Sequence, residues 1–113
     1  MMYPKYKDTY APLLQEIARR GGCCRPSARV NGLTVYEELA QYFQLSPEAL
    51  QRQFTVTAGP NQHRMQWLWP YRVRWAKDQL KRLGLIASPA RGIWVLTDRG
   101  WQAVRRLNGN NAR

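Results

Sequence analysis

Side chains that commonly carry catalysis or bind metals are few in this sequence and poorly spaced for either role. It has one histidine, His63, and two adjacent cysteines, Cys23 and Cys24. Adjacent cysteines seldom bridge each other, and these three residues lack zinc-ligand spacing, so we expect two ordinary thiols in a loop. The only acidic residues beyond position 63 are Asp78 and Asp98, which do not provide the paired carboxylates of a metal-dependent nuclease. We therefore expect neither an enzyme nor a bound cofactor or metal.

Cationic side chains provide the strongest chemical signal. The 113 residues include 18 Lys and Arg but only 7 Asp and Glu, which gives a net charge of +11. Residues 64–113 alone hold 11 basic and 2 acidic residues, so a polyanion should bind this half of the chain. In nucleic-acid binding, phosphate contacts supply affinity and contacts with base edges supply sequence preference. The alternative is a basic surface that is merely solvated.

Candidate DNA contacts fall on a predicted long helix, on the loop before it and on a predicted hairpin after it. The helix contributes five cations, the loop contributes polar side chains that can reach base edges, and the hairpin tip contributes one arginine. The predicted set is Asn61, Gln62, His63, Arg64, Arg72, Arg74, Lys77, Lys81, Arg82 and Arg91. Arg74 and Arg91 should stand furthest forward, whereas Arg99, Arg105 and Arg106 should contribute only general electrostatic attraction.

Hydrophobic periodicity and capping signals predict the elements of the first half. Three helices are expected, at about residues 6–20, 34–43 and 47–54. Asp8 or Thr9 should cap the first helix, and Thr34 with Glu37 has the spacing of a capping box for the second. The run that begins at Ser46, followed by Pro and Glu, is typical of a helix start. Segments rich in Gly, Pro and Asn are predicted as loops, at residues 21–33 and 55–66.

The second half predicts the long helix, the hairpin and a last helix. In chain order, these are a helix from Leu68 or Trp69 to Leu83, strands at 85–88 and 93–96 around a tip at 89–92, and a helix at 98–107 capped by Thr97. The expected fold is α+β and mostly helical: a winged helix-turn-helix with a two-stranded wing and a C-terminal helix. It forms one domain over residues 1–107, with a frayed tail at 108–113. The long helix can enter a major groove about 12 Å wide.

Five tryptophans allow two further interpretations. Trp94 and Trp101 are expected to fill the core between the wing and the last helix. Trp67 and Trp69, at the start of the long helix, could stack on the bases of a single strand. Together with Tyr71 they could also form an exposed aromatic patch. The alternative function is therefore a winged-helix protein-interaction or dimerisation module, which burial of those tryptophans would argue against.

The stretch RVRWAKDQLKRLGLIASPARGIWVLTDRG resembles the N-terminal domain of Mrr-type restriction systems. The shared pattern is an Arg–apolar–x–Trp–Ala helix, then Leu–x–x–x–Gly–Leu, then Arg-Gly–x–Trp–x–Leu-Thr–x–x–Gly. Its positions here are Arg72, Val73, Trp75, Ala76, Leu80, Gly84, Leu85, Arg91, Gly92, Trp94, Leu96, Thr97 and Gly100. A weaker likeness covers Asp8–Leu14. The resemblance implies a winged-helix DNA-binding domain, usually joined to a nuclease that cuts DNA bearing foreign methylation.

Departures from the family pattern limit what the resemblance implies. The chain leaves no room for a nuclease after the last helix, so cleavage is not expected. Loops 21–33 and 55–66 do not follow the pattern, so no target preference is carried over. With no signal peptide and no membrane-spanning run, the protein should be soluble and cytoplasmic. The prediction is a binder of double-stranded DNA, the recognition module of a restriction or defence system, with a homodimer or a partner nuclease left open.

Overall fold

Five helices and two small antiparallel sheets form the part of the chain that the computed structural model describes, residues 3–57, 59–60 and 62–111. The fold is α+β, as expected, and about half helical. The helices are α1 Tyr6–Arg19, α2 Val35–Tyr42, α3 Pro47–Leu50, α4 Leu68–Arg82 and α5 Asp98–Asn111. The strands are β1 Cys23–Cys24, β2 Gln53–Thr55, β3 Met65–Trp67, β4 Ile86–Ala87 and β5 Trp94–Leu96.

Helix starts follow the local capping signals at α2 and α3 but not at α1. The Thr34 hydroxyl accepts the Glu37 N–H, and the Glu37 carboxylate accepts the Thr34 N–H, so the predicted capping box is confirmed. Ser46 caps α3. The predicted caps Asp8 and Thr9 are wrong, because α1 begins at Tyr6 and its N-cap, three residues before Asp8, is the extended Lys5, whose side chain makes no capping bond.

The first sheet has the strand order β1-β5-β4 and joins the two halves of the chain. β4 and β5 pair as the predicted hairpin, with Ile86 opposite Leu96. β1 corrects the prediction of an unbroken loop over 21–33, because Cys23 and Cys24 pair with β5. Gly22 enables this pairing: its φ is +84°, and an added Cβ would lie 2.3 Å from the Trp101 ring.

The second sheet is a hairpin of β2 and β3, and it corrects the prediction of a polar loop over 55–66. Phe54 lies opposite Gln66. Hydrogen bonds from Val56 N–H to the Arg64 carbonyl (3.0 Å) and from His63 N–H to the Val56 carbonyl (2.8 Å) extend the ladder. α3 consequently ends at Leu50, short of the predicted Phe54. The QFTVT run alternates polar and apolar residues, a strand pattern that its flanking polar residues obscure.

The core lies between α1, α2, α4, α5 and the first sheet. The largest fully buried side chains are Trp69, Leu13, Ile17, Leu39, Leu80, Ile86, Val35 and Val73. The periodicity of the sequence predicts Val73, Ala76, Leu80 and Leu83 on one face of α4. The first three are buried and confirm that face, and the buried Trp94 confirms its predicted core position. Leu83, predicted on the same face, is 53% exposed, because α4 ends at Arg82 and the chain turns away. α5 runs to Asn111, past the predicted end at Leu107.

A buried ion cluster fastens the segment between β1 and α2 to α1. The Glu16 carboxylate accepts hydrogen bonds from Arg19 and Arg20, each at 2.7 Å. The side chains of Glu16 and Arg20 are only 5% and 4% exposed. Arg20 also donates to the carbonyls of Ala28 (3.1 Å) and Leu33 (2.9 Å). The cluster thus supplies the hydrogen bonds that make burial of these charges tolerable.

Candidate nucleic-acid interface

Arg72, the first cation on α4, is directed towards the start of the chain. Its guanidinium donates to the Pro4 carbonyl at 2.5 Å. The same group lies over the rings of Tyr3 and Tyr6, at 5.1 and 4.3 Å from their centroids. Tyr3 in turn stacks on Trp69. Arg72 therefore holds the N-terminal segment against α4, and its predicted DNA contact stays a prediction.

Arg74, two residues and about half a turn further along α4, lies beneath the β2–β3 hairpin. It is half-buried and donates to the Gln66 Oε1 on β3 at 3.2 Å. On α2, burial raises the pKa of the Tyr36 hydroxyl, while hydrogen bonding to the Arg74 guanidinium and its positive charge oppose the rise. Arg74 was expected to stand furthest forward, but its guanidinium links β3 and α2 to α4.

Lys77 shows that the outward side of α4 is not uniformly cationic. Its ammonium lies 2.7 Å from the Asp78 carboxylate and 5.6 Å from the centroid of the Trp94 ring. Asp78 is largely exposed. An exposed carboxylate in the middle of the helix repels phosphate, so the first half of α4 provides little free positive charge.

At the end of α4 and in the turn after β4, three predicted cations are exposed and form no ion pair among the residues that the structure describes: Lys81, Arg82 and Arg91. Lys81 and Arg82 occupy the last turn of α4, where they also complement the helix dipole. Arg91 lies in the turn between β4 and β5. That turn is closed by hydrogen bonds from Ile93 N–H to the Ala90 carbonyl and from the Ser88 hydroxyl to the Ile93 carbonyl. The three cations are available to bind an anion.

The predicted loop contacts lie on the β2–β3 hairpin. Gln62, His63 and Arg64 are exposed there, and Arg64 also forms no ion pair within the described ranges. His63 has φ +71°, as the turn requires. Asn61, also a predicted contact, lies outside the described residues.

Aromatic packing holds this hairpin against the outward side of α4. The rings of Phe54 and Tyr71 lie 4.7 Å apart at 61°. A cleft of about 300 Å³ separates the hairpin from the helix and is lined by Val56, Pro60, Gln66, Tyr71, Arg74, Trp75, Lys77 and Asp78. The hairpin therefore borders the first half of the helix face that was expected to enter the major groove.

Sequence reasoning missed the side chains on the other face of the hairpin. Gln53, Thr55, Thr57 and Met65 are exposed there. Their neighbours Phe54, Val56 and Gln66 are half-buried and face α4. The alternation of polar and apolar residues from Gln53 to Thr57 is the sequence signal that could have predicted a strand with this exposed face.

The predicted aromatic patch is reduced to one residue. Trp67 is 49% exposed, whereas Trp69 is 2% exposed and donates its indole N–H to the Tyr36 carbonyl at 2.8 Å. Tyr71 packs on Phe54. Trp67 borders a groove of about 810 Å³ between α2, α3 and the start of α4. The other residues lining this groove are Leu33, Tyr36, Glu37, Ala40, Gln41, Gln44, Leu45, Leu50, Gln51, Trp69 and Pro70.

The two thiols are free and differ in environment. Cys23 is exposed, and Cys24 is buried. Burial raises the pKa of Cys24 to about 11, although the positive charge of Arg20 lowers it in part. Among the described residues, no group of three or more His, Cys, Asp or Glu side chains could hold a metal ion. No helix in those same ranges is both long and apolar enough to cross a membrane.

Comparison with known proteins identifies a family. The family model of the Mrr N-terminal domain matches residues 6–106, which extend from the start of α1 into α5 and include both hairpins. No curated protein and no solved structure matches the chain. The match covers most of the 113 residues, well beyond the stretch that carries the sequence resemblance. The chain therefore belongs to the Mrr N-terminal domain family.

Proposed function

We propose that this chain is a winged-helix domain that binds double-stranded DNA. The observation that carries the proposal is the set of free cations at the end of α4 and in the turn of the next hairpin: Lys81, Arg82 and Arg91. The connectivity supports it. Without α3 and the β2–β3 hairpin, the order is helix, strand, helix, helix, hairpin, helix, and β5 lies between β1 and β4. A helix followed by a basic hairpin is the arrangement that winged helices use on DNA.

Family membership supports a role for the domain within a restriction or defence system. In this proposal the domain supplies recognition and no catalysis, and a nuclease acts with it. A cytoplasmic location fits that role. Binding is chiefly electrostatic, since cations that neutralise phosphates release counterions from DNA.

Duplex binding measured by fluorescence anisotropy at several salt concentrations tests this function. We expect affinity to fall steeply as salt rises, and Lys81→Glu with Arg82→Glu to weaken binding at least tenfold. The matched control makes the same charge change on α5, Arg105→Glu with Arg106→Glu, and should weaken binding less than threefold. An affinity that does not respond to salt, or equal losses in both variants, would contradict the proposal.

Self-association through the groove is a second candidate function, compatible with the first. Trp67 and Leu50 are exposed large apolar residues on this groove, at 49% and 40%. Residues 25–52 hold three arginines and three glutamates, so the rest of the chain carries the entire net charge of +11. Two such cationic chains repel each other least where their surfaces are neutral, which favours a second copy as the occupant of the groove.

Light scattering after size-exclusion chromatography, across a concentration series, tests this second function. We expect the mass of two chains for the wild type and of one chain for Trp67→Ala. As a control, Trp75→Ala replaces another exposed tryptophan outside the groove and should leave the dimer intact. A wild-type mass of one chain at every concentration would exclude self-association.

A further inference from the structure

We propose that the outward face of the β2–β3 hairpin, rather than the outward face of α4, reads base edges in the major groove. The face is defined by Gln53, Thr55, Thr57 and Met65. The inference rests on the proposed DNA binding and names its reading element. Trp67 is the cross-strand partner of Gln53, so it lies at the base of the same face, where it also borders the groove.

The register of the hairpin separates its two faces. Phe54 and Gln66 are cross-strand partners, and both are directed towards α4, where Phe54 meets Tyr71 and Gln66 accepts from Arg74. Side chains alternate along a strand, so the neighbouring pair of Thr55 and Met65 lies on the opposite face. Both are exposed, and Met65 is 58% exposed. Within the part of the chain that the structure describes, their side chains form one hydrogen bond, from the Thr55 hydroxyl to the Met65 sulfur at 3.0 Å.

The hairpin lies where the first half of α4 would otherwise meet DNA. The cleft between the two elements, about 300 Å³, is far smaller than a turn of duplex. Its α4 wall contains Arg74, which is bound to Gln66, and Lys77, which is paired with Asp78. A duplex that approaches this side meets the hairpin first, so the reading groups must be those on the hairpin's outer surface.

The outer surface has the chemistry that base reading requires. The major groove admits a two-stranded β-ribbon as readily as a helix. A glutamine amide matches the N6 and N7 edge of adenine, a threonine hydroxyl donates or accepts, and apolar groups such as the Met65 side chain contact the thymine methyl. Arg52 and Arg64 flank the ribbon, are exposed, and form no ion pair among the described residues.

Carboxylates are sparse around the hairpin, where the nearest on α4 is Asp78, paired with Lys77 in the cleft behind it. Residues 49–77 contain no Asp or Glu and include five cations. The ladder that holds β2 to β3 satisfies the inner backbone groups, and the Phe54–Tyr71 contact fixes the hairpin on a rigid helix. A reading surface on a rigid support loses less conformational entropy on binding than a free loop does.

The test begins by enriching preferred duplexes from a random pool with the wild-type chain. Affinity is then measured at one salt concentration for an enriched duplex and for its shuffled counterpart. The reading variant combines Gln53→Met, Thr55→Val and Thr57→Val, which keep side-chain size and strand propensity and change no charge. We expect the ratio of the two affinities to fall at least tenfold, while affinity for the shuffled duplex changes less than twofold. The control Gln102→Met, an exposed amide on α5, should leave the ratio unchanged.

The outcomes separate this inference from the function on which it rests. If the wild type binds no duplex, DNA binding itself is excluded. If it binds but enriches no sequence, or if the reading variant retains the full ratio, the hairpin is not the reader and DNA binding stands. If Lys81→Met with Arg82→Met abolishes the ratio instead, α4 is the reader. Circular dichroism checks the fold of each variant, and Thr57→Val alone, beyond the end of β2, repeats the test with the least disturbance to packing.

Discussion

At the scale of single residues, arginine serves different purposes in the first and last parts of α4. Arg72 contacts two tyrosine rings and a carbonyl, whereas Arg82 is exposed and forms no ion pair among the described residues. Nothing in the local sequence distinguishes them. The partner of Arg72 is Pro4, which is 68 positions away, so its structural role depends on how the chain folds.

Replacing Arg72 should therefore destabilise the fold. Arg72→Ala removes the hydrogen bond to Pro4 and the cation–π contacts with Tyr3 and Tyr6, so we expect a loss of about 1–3 kcal/mol in the free energy of unfolding. Arg72→Lys should recover only part of it, because an ammonium lacks the planar guanidinium. Urea denaturation followed by tryptophan fluorescence measures the change.

Arg82→Ala is the matched control for that substitution. It removes the same side chain from the exposed last turn of α4 and should change stability by less than about 0.5 kcal/mol. Equal losses from both substitutions would show that the contacts around Arg72 contribute nothing specific to stability.

The two cysteines should differ in reactivity. The thiolate is the reactive form, and burial raises the pKa of Cys24 to about 11 while Cys23 is exposed. We expect iodoacetamide at pH 8 to modify Cys23 alone in the native protein and both thiols in urea. Since burial favours the neutral thiol of Cys24, its contribution to stability is complete below pH 9 and is lost as the pH rises towards 11. Mass spectrometry of peptides from each reaction decides the assignment, and rapid native labelling of Cys24 would contradict it.

At the scale of elements, a short structural unit explains part of the family pattern. The Thr97 hydroxyl accepts the Gly100 N–H and donates to the Gly84 carbonyl at 2.6 Å. It thereby caps α5 and ties that helix to the end of α4. A Cβ on Gly100 would lie 2.1 Å from the Leu85 carbonyl oxygen, so the position requires glycine. The Gly–Leu and Leu-Thr–x–x–Gly segments of the pattern are thus the two sides of one contact.

Two glycines in α5 give a matched test of this contact. Gly100→Ala forces α5 away from the Leu85 backbone, so we expect a loss of at least about 2 kcal/mol, in the range of overpacked cores. Gly109→Ala meets no atom within 4 Å in the same helix and should raise stability by up to about 1 kcal/mol through helix propensity. Thermal unfolding followed by circular dichroism gives both values. If Gly100→Ala left the free energy of unfolding unchanged, α5 and the Leu85 backbone could separate at little cost.

Local signals predicted some elements, and distant pairing produced the others. The capping box of α2 and the Ser–Pro start of α3 act within four residues, so they are readable in the sequence. β1 has two residues and exists only because β5, about seventy positions later, pairs with it. The position of the β2–β3 hairpin depends on the packing of Phe54 against Tyr71 of α4. For the same reason, residue type was enough to find the candidate cations. Which of them form no hydrogen bond or ion pair in the fold could not be predicted, because a partner can lie far away in the sequence, as Pro4 does from Arg72.

At the scale of the whole molecule, charge is segregated. Residues 25–52 are neutral as a group, and the net charge of +11 belongs to the rest of the chain. This separation lets one surface attract a polyanion while another, around the groove, contacts a like-charged copy at the least electrostatic cost. The two proposed functions therefore use different regions, with Trp67 at the boundary between the groove and the β2–β3 hairpin.

The salt dependence of DNA binding should report how many unpaired cations neutralise DNA phosphates. We assign five to the proposed interface, all exposed and without an ion pair among the described residues: Arg52, Arg64, Lys81, Arg82 and Arg91. With a contribution of about −0.9 per neutralised phosphate, the slope of log K against log salt concentration should approach about −4.5. An alanine at any of the five should reduce its magnitude by about 1. Arg74→Ala should leave the slope unchanged, because that guanidinium is bound to Gln66, and a slope that falls equally for Arg74 would mean that the hairpin opens to expose α4 on DNA.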